Sequence, residues 1–88
     1  MPAVTVGLPA ALTSPHPAQD VACEASTVGQ ALRAVVARAP QYEERIFYGS
    51  RLLVIVTLNG RQIPADAILE TQVAAGDRVD VLLPVAGG

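Results

Sequence analysis

Eighty-eight residues are enough for one domain and too few for a deep internal substrate cavity. Apolar residues make up 51% of the chain and aromatic ones 3%, so the core has to be aliphatic, each buried Val, Leu or Ile adding about 1.5–3 kcal/mol. A formal net charge of -2, with six scattered Arg and no Lys, excludes the concentrated basic surface that nucleic acid requires.

Val4, Val6 and Leu8 alternate with Ala3, Thr5 and Gly7, which predicts a strand buried on one face and ended by Pro9. Thr13 to Pro17 holds two Pro and reads as a loop. Val21, Cys23 and Ala25 alternate again in a second strand. The period then changes. Val28, Leu32, Val35 and Val36 fall on one helical face, and Thr27 with Gln30 matches a capping box. Pro40 stops this helix near Arg38, and the spacing of Tyr42 and Ile46 predicts one further helical turn.

Tyr48 to Ser50 reads as a loop and Arg51 to Leu58 as one apolar strand. Asn59-Gly60 predicts a tight hairpin, because both turn positions need positive φ. Arg61 to Ile63 is the return strand, ended by Pro64. Ala67 to Ala75 reads as connecting chain, and Gly76-Asp77 as a turn. Val79, Val81 and Leu83 alternate in the last strand, which Pro84 closes. The order β-β-α-β-β-β predicts an α+β fold, with one main helix packed on one face of a mixed sheet. Val85, Ala86, Gly87 and Gly88 follow with nothing to pack against, so the chain divides into a domain, 1–84, and a tail, 85–88.

Several residue types that often carry chemistry are present without a constellation. Cys23 cannot form an internal disulfide or a zinc site alone; it sits at an apolar strand position, where a buried inert thiol is expected. His16 lies in a Pro-rich loop with no nearby partner. Glu43 and Glu44 are adjacent and do not share a helix face. No catalytic residue, no bound cofactor and no metal site is expected. Met1-Pro2-Ala3 lacks the basic start of a signal peptide, and the apolar run Leu52 to Leu58 is too short to span a bilayer. Together with the lone Cys, this predicts a cytoplasmic chain without a membrane partner.

The strand and helix order, the Asn59-Gly60 and Gly76-Asp77 turns, the helix start Thr27-Val28-Gly29-Gln30-Ala31-Leu32 and the ending Leu83-Pro84-Val85-Ala86-Gly87-Gly88 resemble the MoaD/ThiS family of ubiquitin-like sulfur carriers. The resemblance covers the whole chain and implies the β-grasp fold. The ending is similar to MoaD-type carriers of molybdopterin synthesis and equally to CysO-type carriers of cysteine synthesis. In such a carrier the carboxylate of Gly88 is adenylylated and then converted to a thiocarboxylate. A carboxylate is a poor electrophile, and the adenylate divides one hard step into two easier ones. The resemblance implies two partners, an adenylating enzyme similar to MoeB or ThiF and a sulfur-accepting synthase. ATP and any metal would belong to the adenylating partner.

Gly87 and Gly88 have no side chains to obstruct threading into that enzyme, and Pro84 would stiffen the tail's exit. The partner surface implied by the family is the exposed sheet face beside the tail, with Leu58, Leu82, Arg51, Arg61 and Arg78 as candidates. A second reading is a ubiquitin-like modifier conjugated through Gly88 to target lysines. The Lys-free chain could not then build chains on its own side chains. A third reading is an interaction domain in which Gly87 and Gly88 are idle.

Overall fold

The computed structural model describes residues 1–84; the tail expected at Val85, Ala86, Gly87 and Gly88 lies outside the described residues. Strand β1, Ala3–Leu8, pairs antiparallel with β2, Gln19–Glu24, and parallel with β7, Arg78–Leu82. Strand β5, Ile55–Leu58, pairs antiparallel with β7 and with the short β6, Arg61–Gln62. The sheet order is therefore β2-β1-β7-β5-β6. Helix α2, Val28–Arg38, covers one face, with Val28, Ala31, Leu32, Val35 and Val36 turned inward. Val4, Val6, Val56, Val79 and Val81 meet it from the sheet. This is the β-grasp arrangement expected from the sequence.

The start of α2 is built from a distant segment as well as from its own cap. Thr27 Oγ1 accepts from Gln30 N at 3.1 Å, as the capping box requires. Gln30 Oε1, however, accepts from Ser26 N at 2.8 Å rather than from Thr27 N, while Thr27 itself is bridged to Gln72. Val28 N–H donates to Thr71 O at 2.9 Å and Gly29 N–H to Leu69 O at 3.2 Å. The connecting chain 67–75 thus satisfies amides that a helix start leaves without intrahelical partners. It also inserts Ile68 and Val73 into the core.

Two further features depart from the sequence reading. A single helical turn, α1, forms at Ala10–Thr13 and buries Leu12 and Thr13. Arg45 caps its end, donating through Nη1 to the carbonyls of Leu12 and Ser14. The apolar run from Arg51 to Leu58 is two strands rather than one. β4, Arg51–Leu52, folds back on β3, Phe47–Tyr48, across a turn with Gly49 at φ 62. The chain then bends past Leu53, which is 42% exposed, and enters the main sheet as β5. The further turn expected around Tyr42 and Ile46 is present as a 3-10 turn, Pro40–Tyr42, and α3, Glu43–Ile46. No helix among the described residues is long and apolar enough to cross a membrane.

Asn59 and Gly60 both have positive φ, 51 and 86, so the expected tight hairpin joins β5 to β6. Asn59 also ties this hairpin to the entry of β7. Its Oδ1 accepts from Arg78 N at 2.9 Å and its Nδ2 donates to Asp77 Oδ1 at 3.0 Å. Asp77 Oδ2 accepts from Ala74 N at 2.8 Å, across the turn where Gly76 has φ 85. These two donors hold the Asp77 carboxyl below the usual carboxylate range, the Ala74 amide having the larger effect. Two turns that look independent in the sequence are one hydrogen-bonded junction.

Candidate functional site: the open sheet face at the end of the last strand

β7 alternates between two faces because a strand has a period of two. Val79 and Val81 point under α2, which leaves Arg78, Asp80 and Leu82 on the opposite, uncovered face. The register brings Ile55 of β5 beside Leu82 and Thr57 beside Asp80. From β1 come Thr5 beside Arg78 and Gly7 beside Asp80, and from β2 Asp20 beside Gly7. One part of this face is apolar, with Leu82 44% exposed and Ile55 half-buried. The other is ionic. Leu83, partly buried, packs back onto the core, and exposed Pro84 follows it. The chain therefore leaves the sheet next to the apolar part.

Arg78 uses its whole fork on two carboxylates. Its Nη1 and Nη2 donate to Asp20 at 3.2 and 2.9 Å, and its Nε donates to both oxygens of Asp80 at 3.1 Å. The hydrogen bonds from Arg78 hold the Asp20 carboxyl below its usual range, and the two carboxylates raise the guanidinium further above its already high value. This bridge from β7 to β2 passes over β1 at Gly7. A Cβ on Gly7 would collide with Asp80 Oδ1 and lie 2.6 Å from Arg78 Nη2, so a side chain there would push the cluster aside. With two carboxylates around one guanidinium, the cluster carries an excess of negative charge.

The five candidate surface residues do not form one patch. Leu82 and Arg78 share the open face. Leu58 lies two residues from Val56 on the helix side and packs partly against the core. Arg61 stands opposite Leu58 on β6, and Arg51 is exposed on β4, outside the five-stranded sheet. The sequence alone does not single out Ile55, Gly7, Asp20 or Asp80. Gly7 inside an alternating strand was the available signal, since a mid-strand Gly marks a close approach. Ile55 was hidden in an apolar run without alternation.

The remaining candidates are dispersed. Cys23 is buried under α2, and desolvation pushes its thiol up, with the Arg38 charge opposing. His16 is exposed, and its backbone N–H closes the α1 turn onto Thr13 O at 2.9 Å. Glu43 and Glu44 occupy the first turn of α3 in solvent. Among the described residues no three His, Cys, Asp or Glu side chains gather to hold a metal ion.

A model of the ThiS family matches residues 8–88. Solved structures share the fold over nearly the whole length. SAMP1 from Haloferax volcanii is 29% identical, with a TM-score of 0.73 over 98% of this chain and 99% of that one. The Amycolatopsis orientalis BexX/CysO complex contains a chain 27% identical, with a TM-score of 0.77 over 97% of this chain and 99% of that one. Small archaeal modifier protein 1 from Methanosarcina acetivorans, 23% identical with a TM-score of 0.77, adds likeness of fold alone over 100% of this chain and 98% of that one. No curated protein matches the sequence.

Proposed function

Because the chain belongs to the ThiS family, we propose that it is a ubiquitin-like sulfur carrier that works as a protein cosubstrate rather than as an enzyme. The observation that carries the reading is the family match running through Gly88, on a domain whose last strand ends beside an exposed apolar patch. An adenylating partner similar to MoeB or ThiF covers Leu82 and Ile55 and receives the tail from Pro84 onward. The Gly88 carboxylate attacks the α-phosphorus of ATP, forming the acyl-adenylate and releasing pyrophosphate. Hydrosulfide then attacks the acyl carbon, AMP leaves, and the thiol proton is lost to give a thiocarboxylate, which a synthase consumes. ATP and its metal are bound by the partner. Covering the exposed apolar patch contributes to the association.

The test is ATP–pyrophosphate exchange by the cognate adenylating enzyme. The full chain should support it, and the chain lacking Gly88 should not. Exchange that survives the deletion overturns the assignment. The likeness to SAMP1, a chain 29% identical, favours one second reading, a modifier joined through Gly88 to target lysines. Amide-linked conjugates in cell extracts, lost on deleting Gly88, distinguish it.

A further inference from the structure

The main sheet has two edges of unequal length. β6 contributes two residues at one edge, while β2 contributes six at the other, Gln19 to Glu24. The phase of β2 is fixed by its pairing with β1 and by Ala25 N–H donating to Pro2 O at 2.9 Å. Odd-numbered residues from 19 to 25 therefore spend their main-chain groups on β1. Asp20, Ala22 and Glu24 turn theirs outward, since hydrogen-bonding direction alternates along an antiparallel strand. All three are exposed. Their amide N–H groups have no acceptor among the described residues. One outward carbonyl is occupied: Arg38, at the end of α2, donates through Nη1 to Ala22 O. Beside this edge runs a shallow groove between β2 and α2, walled by Ala22, Cys23, Glu24, Ala34 and Arg38.

We propose that the outer edge of β2 is a strand-addition site for an extended protein segment carrying one basic side chain opposite Asp20 and another opposite Glu24. The three outward amides repeat at the spacing of a strand's alternate residues, which is the main-chain pattern an added strand reads. Asp20 and Glu24 project on one face four residues apart, so the matching cations stand at positions i and i+4 of the incoming segment. Directly opposite charges attract across a pair of strands and like charges repel. That rule selects against a second copy of this chain. The self-pairing register that engages all three outward residues sets Asp20 opposite Glu24 of the other copy, twice. Arg38 is the resident competitor for the main chain, as Arg78 is for the Asp20 carboxylate. The Arg38 guanidinium holds the Ala22 carbonyl that the added strand needs, and it has to swing away for the strand to seat. Asp20 stays tied to Arg78 of β7 across β1, and because that cluster holds two carboxylates to one guanidinium it still attracts a cation opposite Asp20; the main-chain edge itself lies two strands away from β7.

The experiment uses the full-length, isotope-labelled chain and two short peptides of alternating Val and Thr. One carries Lys at two positions four apart, the other Glu at the same positions. The Lys peptide should shift the amides of Asp20, Ala22 and Glu24 and the Arg38 side chain; the Glu peptide should not. Glu24→Lys should weaken the Lys peptide, by roughly two- to fivefold for each charge pair disturbed. Arg38→Ala should bind it more tightly and stay monomeric. The proposal is overturned if the Lys peptide leaves these amides unmoved, if both peptides bind alike or if the shifts centre on Ile55 and Leu82. It is equally overturned if Arg38→Ala binds more weakly or pairs with itself.

Discussion

Gly29→Ala reverses the usual effect of replacing a helical glycine. Ala in a helix is favoured over Gly by about 0.8–1 kcal/mol, so on propensity alone the change stabilises. At Gly29 the new Cβ would stand 2.7 Å from Leu69 O and 3.3 Å from Leu69 Cα and Cβ. The obstacle is backbone, and that carbonyl is held by Gly29 N–H itself at 3.2 Å. Relief requires α2 and the 67–71 segment to part, at an overpacking cost of about 1–3 kcal/mol. The strained hydrogen bond adds about 0.5–1.5 kcal/mol. The unfavourable terms win, leaving a net loss of about 1–3 kcal/mol. For a domain of this size each kcal/mol lowers Tm by about 4–8 °C. Thermal and urea melts of the two proteins read this directly. A Tm at or above that of the parent chain would refute the close approach of α2 to Leu69.

Other expectations follow from the junctions and the open face. Asp77→Asn removes a carboxylate whose pKa is depressed in the fold, so the stabilisation it gives is complete above the unfolded Asp value near 3.9 and lost as pH falls through the folded value. The variant should be less stable than the parent at pH 7, with the gap closing in acid; a gap unchanged at low pH would contradict the junction. Cys23 has its pKa raised by burial, so its contribution is present below about pH 8.5 and lost as pH rises through the folded value. Thiol reagents should therefore modify it slowly until denaturant is added, and rapid labelling of the native chain would contradict its placement. Leu82→Glu should leave stability within about 0.5 kcal/mol, because the side chain is half-exposed, while raising the KM of the adenylating partner for this chain. An unchanged KM would remove Leu82 from the docking surface.

What the sequence revealed was local. The alternation of β1, β2 and β7, the Thr27 cap and the Asn59-Gly60 turn are each written in neighbouring residues, and each is present in the structure. α1 has four residues, too few to display a helical period. The break at Leu53 was invisible because each residue from Leu52 to Val56 is apolar, whichever way it points. The ionic cluster joins Asp20 to Arg78, 58 residues apart, and no local pattern announces such a pair. Residue type suggested a surface of Leu58, Leu82 and three Arg. Strand register groups Leu82 with Ile55 and gives Arg78 to two carboxylates.

In the proposed cycle the Gly88 carboxylate becomes a thiocarboxylate. The most direct test of this step is the intact mass of the chain after incubation with the adenylating enzyme, ATP and a sulfur donor. The mass should rise by one oxygen-to-sulfur exchange, confined to the C-terminal peptide and abolished by deleting Gly88. An unchanged mass after demonstrated adenylation, or a sulfur found on Cys23 instead, would contradict it.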